Sequence, residues 1–354
     1  MTQQLRVVVV GLGEHGKDIV RAVTDAGMVV AGAVDPAYAG HDLGAVIEVP
    51  GLAGRTVVGA LSDLPAGDGV DVALVAAKLP VAALVPLLKD CLARGADVLT
   101  IVEDAFDLQS FAPELYDDLD AAAKRAGKTV VATGVQDAAW TGLVLQATAL
   151  QLQLGPIRLE QHLGVDGYPQ EFLQWLGIGC TAAEFEAAAQ QAATTPSVFG
   201  AILPVIARKL GLTLAGQSRE MSPYVIDTAV ESITLERTIA AGEPIGRRDV
   251  VTVHTVEGTD LVAELVTSVL MDRDDFHAVL GGFPAVELSH RMTPGPPAVN
   301  ASLITGSPTL LRRRREWSRP RICPPRSIGA APTPRWPRGS ARSAQGGEGV
   351  APVL

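Results

Sequence analysis

Gly11-Leu12-Gly13-Glu14-His15-Gly16 has the G-x-G-x-x-G spacing of a loop that holds phosphate. The first glycine allows a tight turn, the second lets the backbone approach a pyrophosphate, and the third lets a helix pack closely while its N-terminal N–H groups face the anion. Asp35 lies nineteen residues beyond Gly16, where a carboxylate can accept a ribose 2′-hydroxyl and repel a 2′-phosphate. A glycine-rich turn that binds nothing is the plainer alternative. A second chemistry is offered by Glu103-Asp104, acids at the end of an apolar run, which can exchange protons with a ligand or simply cap the next helix. His15 faces solvent in the first turn of a helix, and His162 and His254 fall in strand-like stretches where histidine is usually structural. No His, Cys and carboxylate group has ligand spacing, so no metal is expected.

These residues need a scaffold, and the apolar runs supply one. Val7–Val10 reads as a strand buried on both faces, followed by a helix Lys17–Ala26 and a second strand Val29–Val34 that delivers Asp35. A polar loop, Pro36–Gly44, precedes a short strand at Thr56–Val58, and Val70–Ala77 is the next run. Lys78-Leu79-Pro80 breaks it before a helix Val81–Arg94, which Gly95 ends. Strands Ala96–Val102 and Thr129–Ala132 follow. This alternation predicts an α/β fold, a Rossmann doubly wound parallel sheet over residues 1–150, with ligands at the carboxyl ends of its strands. Ala77 and Lys78 therefore join the glycine loop on the cofactor side. Beyond residue 150, Ile157–Val165, Ile226–Leu235, Val250–Glu257 and Leu261–Leu270 alternate as strands, with helices at Ala182–Gln191 and Val198–Leu210. They predict a second, mixed α+β domain over residues 151–304, of the kind that typically supplies a substrate pocket's far wall and a subunit interface, with Ala285–Ser289 and Met292–Ile304 returning the chain to the first domain.

Composition narrows the partners. At 47% hydrophobic and 19% charged, the 354-residue chain is that of a globular protein with substantial cores. No apolar run approaches the roughly 20 residues that span a bilayer, and strand one begins without an export signal, so a cytoplasmic protein is expected. Cys91, Cys180 and Cys323 are far apart, with no C-x-x-C, and read as reduced thiols. Residues 312–354 carry ten Arg against two acids, leaving residues 1–311 with 19 basic and 37 acidic groups. That acidic body argues against nucleic acid as its partner.

Taken together, the chain resembles the NAD(P)-dependent amine dehydrogenase and 2,4-diaminopentanoate dehydrogenase branch of the dihydrodipicolinate reductase-like family. The resemblance rests on Gly11–Gly16, Thr100-Ile101-Val102-Glu103-Asp104, Thr133-Gly134-Val135-Gln136-Asp137 with Trp140, Tyr168, and His290-Arg291-Met292-Thr293-Pro294-Gly295. It covers roughly residues 5–304. It implies a homodimer that reductively aminates a small apolar ketone or aldehyde with ammonia, using NAD(H) or NADP(H), or oxidises an amine in reverse. It also implies that Glu103 is the catalytic acid and base, that Trp140 and Tyr168 are aromatic pocket walls, and that Gln136 and Asp137 line the pocket and cofactor. Asp35 favours NAD. Core packing for Trp140, an interface for Tyr168 and loop capping for Gln136 and Asp137 are the alternatives read from the residues themselves.

The chain departs from dihydrodipicolinate reductases proper, which grip a dicarboxylate with a His-His-Arg stretch. Here Glu160-Gln161-His162-Leu163-Gly164 has no such cluster. Other dehydrogenases of alcohols, sugars or amino acids, and a non-catalytic NAD sensor, stay open on the same scaffold. A further departure begins at Thr305, where Arg and Pro replace the Ala- and Val-rich texture. It reads either as a basic arm for nucleic acid or, preferably, as a shifted reading frame that leaves 305–354 disordered. In the second case, one extra A ahead of a GC-rich coding sequence restores an Asn-Arg-Ile-Pro ending of the family's kind.

Overall fold

The valine run behaves as its composition demands. Arg6–Val10 (β1) has four fully buried residues in succession and forms the middle of a parallel sheet, where both faces are covered. The computed structural model describes residues 4–65, 69–193, 197–270, 274–292 and 298–307. All of them fall in one compact unit, Met1–Arg313.

The first sheet runs β2-β1-β3-β4-β5, with β2 at Val29–Val34, β3 at Val72–Val75, β4 at Asp97–Thr100 and β5 at Val130–Ala132, all parallel. Its helices are α1 (Glu14–Asp25), α2 (Leu43–Ile47), α3 (Val81–Ala93), α4 (Leu108–Phe111) and α5 (Pro113–Ala126). Apolar clusters fill both sides of the sheet, as a doubly wound fold requires. Helix α1 begins at Glu14 rather than Lys17, because Gly13 is already its N-cap and Gly16 lies inside it. Thr56 and Val58 make isolated bridges only, to Asp42 and Val34, so the expected third strand is a loop pinned at two points.

After α6 (Gly142–Thr148) the chain builds a six-stranded sheet, β13-β12-β6-β11-β10-β7. Its strands are β6 (Gln153–Gly164), β7 (Leu214–Val225), β10 (Pro244–Thr255), β11 (Leu261–Ser268), β12 (Asp274–Phe283) and β13 (Val286–Arg291). A separate ribbon pairs β8 (Val230–Ser232) with β9 (Arg237–Ile239). One face of the large sheet packs against α9 (Val198–Lys209) and α6, the end of the same face against α7 (Gln170–Trp175). α8 (Ala182–Ala192) has a full capping box, Thr181 with Glu184.

Two expectations fail here. Ile226–Leu235 is not one strand; the edge strand is Leu214–Val225, whose Gly, Pro and polar residues are exposed along most of its length and so carry no alternation. Ala285–Ser289 does not return to the first sheet; from Val286 on it belongs to β13, paired to β12. The return is made by the helix at 298–307, whose Leu303 is fully buried in the core of the first sheet with Leu99 and Val131. Thr305 to Ser307 are thus helical rather than tail, and the remainder of the Arg/Pro-rich stretch, 308–354, lies outside the described residues.

Candidate active site

Gly11 leaves β1 at φ 90°, a conformation that favours glycine, and a Cβ there would lie 2.7 Å from the Ala77 nitrogen. A Cβ on Gly16 would lie 1.8 Å from the Gly11 carbonyl oxygen. The protein's own packing demands both. Gly13 is different: it is exposed, its φ of −63° and ψ of −175° suit any residue, and nothing stands within 4 Å of a Cβ added to it. A glycine that its own protein does not require fits a backbone that a ligand approaches.

Asp35, at the end of β2, accepts the Leu12 N–H on Oδ2 at 2.6 Å and the Ala37 N–H on Oδ1 at 2.8 Å. The carboxylate therefore locks the glycine turn before any ligand arrives. A cleft of about 680 Å³ runs beside it, lined by Gly11, Gly13, Asp35, Ala77 and Lys78. The segment Gly59–Ser62, Asp90 of α3 and Arg94 at its C-cap also line it, residues that no motif in the sequence marks. Glu14 and His15 are exposed on the first turn of α1, outside the cleft lining. Leu12 offers only its backbone, since its side chain is core. Replacing Asp35 by Ala is expected to lower stability by about 1–3 kcal/mol, because two N–H groups lose a charged acceptor. It should also weaken NADH binding; an unchanged melting curve would show that the lock is unimportant.

Glu103 opens a single turn of 3-10 helix, Glu103–Ala105, just past the carboxyl end of β4. Its side chain is exposed, yet the chain around it desolvates the carboxyl in part and raises its pKa above the ordinary glutamate value. Gln136 opposes the shift and Asp104 adds to it. The Gln136 Nε2 lies 3.5 Å from Glu103 Oε1, a long contact at the limit of hydrogen bonding. Gln136 starts a π-helical turn, Gln136–Thr141, a geometry frequent at functional sites. Asp137 is likewise raised by burial, against Lys209 and the Thr133 hydroxyl. Two adjacent residues at the end of α9 thus face this region, for Arg208 pairs with Asp107, at the N-cap of α4, and with Ser110 within it.

The two aromatic walls part company. Trp140 is 8% exposed and packs in the core under α9, its ring 5.5 Å from Phe199, while its Nε1 donates to Gln161 Oε1 at 2.9 Å. The structure thus places Trp140 among core residues, a buried indole N–H taking the partner that a buried glutamine offers. Gln161 in turn donates to Asp274 Oδ1 at 2.8 Å. Tyr168 is 41% exposed and leads a stack with Phe172 and Trp175. Burial and the nearby Asp274 raise its pKa. No hydrogen bond or ring contact among the described residues joins Tyr168 to Glu103. Met292 is described but Thr293, Pro294 and Gly295 of the return motif lie outside the described residues.

The architecture can now be compared with known proteins. No family model and no curated protein matches the chain. Solved structures do. An amine dehydrogenase from Mycobacterium smegmatis superposes with a TM-score of 0.73 at 24% identity, covering 88% of this chain and 93% of that one. The UDP-N-acetylglucosamine 3-dehydrogenase GnnA from Acidithiobacillus ferrooxidans gives 0.51 at 12% identity over 88% and 91% of the two chains. GenD2 from gentamicin A biosynthesis, in complex with NAD, gives 0.51 at 14% identity over 91% and 89%. The fold is that of the NAD-binding dehydrogenases. Among the described residues there is no group of three metal-ligating side chains, and no helix is long and apolar enough to cross a membrane.

Proposed function

We propose that the protein is an NAD(P)H-dependent oxidoreductase that reductively aminates a small, largely apolar ketone or aldehyde with ammonia, and in reverse deaminates the amine. The observation that carries this reading is the place of Glu103, a carboxylate just past the carboxyl end of β4 on the sheet that bears the glycine cradle, with Gln136 beside it. The likeness in fold to the Mycobacterium smegmatis amine dehydrogenase supports it.

Gly11, Gly13 and the N-terminus of α1 would hold the pyrophosphate, and Asp35 the adenosine ribose, which favours NAD(H). A bound nicotinamide supplies or accepts hydride. Glu103 takes a proton from ammonium, freeing the amine that adds to the carbonyl carbon. It then assists loss of water from the carbinolamine and stands as counter-charge to the iminium cation. Gln136 orients Glu103 from one side, while Asp137 lines the cofactor side of the same loop. In this reading the active species is a homodimer, as the family resemblance implies.

The test is NADH and NADPH oxidation with a panel of ketones and aldehydes, each with and without high ammonium at alkaline pH. Oxidation that depends on ammonium is expected. Turnover equal in its absence would mean a hydroxy-compound dehydrogenase instead.

A further inference from the structure

Glu103 stands on a short span of chain that is held at both ends. On the sheet side, the buried Thr100 hydroxyl donates to the Val75 carbonyl at 3.0 Å and accepts the Val102 N–H at 3.1 Å. Glu103 then makes its single turn, closed where the Phe106 N–H donates to the Glu103 carbonyl at 3.0 Å. Asp107 comes next. It is the N-cap of α4, yet its carboxylate makes no cap to that helix and is 4% exposed. It is turned instead to Arg208, whose Nη2 donates to Asp107 Oδ1 while Nη1 donates to the Ser110 hydroxyl oxygen. One planar guanidinium thus reaches two acceptors on α4, which an ammonium would match only in part.

The helix that carries Arg208 is firmly seated. Phe199, Ile202, Leu203 and Ile206 of α9 are fully buried in the core of the second sheet, and Phe106, between Glu103 and Asp107, packs on the same core. α9 also meets the loop on the other side of Glu103. The Trp140 ring, in the π-helical turn that Gln136 begins, lies 5.5 Å from that of Phe199, and the Lys209 charge acts on Asp137 of that turn. One helix therefore holds both sides of the Glu103–Gln136 contact, which at 3.5 Å is too weak to fix either residue by itself. The ion pair on the Asp107 side is not a dispensable surface one. Its acid is buried, and a buried carboxylate without its cation is strongly unfavourable. Among the described residues no hydrogen bond or ion pair joins Arg208 to Glu103, so its influence passes through the chain between them.

We propose that Arg208 is a positioning residue for Glu103: through Asp107 and Ser110 it fixes the turn that presents the Glu103 carboxylate at the carboxyl end of the parallel sheet. The catalytic consequence rests on the reductive-amination reading; the placement does not.

The placement is tested without turnover. With glutamate carboxyls labelled with carbon-13, the Glu103 resonance, assigned by its loss in Glu103→Gln, is titrated in the full chain. The charged groups around it are Asp104 on its own turn, Asp107 with Arg208, and Asp137 with Lys209. Arg208→Gln removes a cation and Asp107→Asn an anion, so an influence of charge alone would move the Glu103 pKa in opposite directions. Release of the turn admits water to the carboxyl in both variants, and both are expected to lower its pKa toward the ordinary glutamate value. Asp107→Asn leaves no buried carboxylate unpaired and serves where Arg208→Gln does not fold. Opposite shifts, or none, would overturn the proposal. The second arm uses ammonium, NADH and the carbonyl compound that the wild type turns over fastest. Arg208→Gln should lower kcat about 10- to 100-fold, the cost of a misplaced reacting group, with KM for the carbonyl and NADH binding near wild type and Arg208→Lys recovering part. Added to Glu103→Gln it should cost nothing more, since it acts only through that carboxylate. An equal loss in both backgrounds would overturn the proposal. Absence of turnover with any carbonyl would defeat the reductive-amination reading while leaving the titration to decide the role of Arg208.

Discussion

Glu103→Gln is expected to lower ammonium-dependent turnover by about 10²–10⁴-fold, the range of a lost general acid–base group, with NADH binding nearly intact. The reason lies in what the substitution spares. Gln keeps the shape and can still meet Gln136, whose Nε2 is 3.5 Å away, but it can neither accept a proton nor oppose a cation. Stability should not fall. Partial desolvation raises the Glu103 pKa, so the fold favours its protonated form; its contribution is greatest below the ordinary glutamate value and is lost as pH rises through the raised one. At alkaline pH, where the assay runs, an uncharged residue at this place costs nothing. The pH profile gives a second reading of the same group. The carboxylate is the working form in the aminating direction, so wild-type activity should climb as pH rises through a value above the ordinary glutamate range. The residual activity of Glu103→Gln should lack that limb. Full turnover in the variant, with the limb unchanged, would remove Glu103 from the reaction.

The parallel sheet was legible because its strands are buried on both faces, and Val7–Val10 and Val72–Val75 leave a continuous apolar trace. The positions of Glu103 and Gln136 followed from strand order, since both lie just past strand ends in a fold whose ligands gather there. β12 was legible in principle: Phe276, Ala278 and Leu280 point inward at period two, but the glycine pair after them hides where the strand ends. What could not be read is polarity turned inward. Arg247, Asp274 and Gln161 sit on the core face of a sheet, at positions where alternation predicts apolar residues, and only the cross-strand register shows that Arg247 and Asp274 share one row with Gln161 in the next. Trp140 is the opposite case, since a tryptophan after a strand-end loop fits a pocket and a core equally until its N–H partner is known.

The glycine cradle allows packing and binding to be separated by experiment, because its three glycines answer to different demands. Gly16→Ala is expected to destabilise the fold by about 1–3 kcal/mol or more, since its Cβ would sit 1.8 Å from the Gly11 carbonyl oxygen and only backbone can yield. Cofactor binding would be lost with it, but as a consequence of a displaced loop. Gly13→Ala is the sharper case. Nothing of the protein lies within 4 Å of the added Cβ, and its backbone angles suit alanine, so the melting temperature should stay near that of the wild type. If the pyrophosphate rests against Gly13, the same methyl group must now stand in its way, and NADH affinity should drop roughly tenfold or more, the equivalent of a small overpacking penalty. A variant that melts like the wild type but binds NADH poorly would locate the dinucleotide on this loop. One that binds NADH as well as the wild type would mean that the pyrophosphate does not rest against Gly13, and the role given to this glycine would have to be withdrawn.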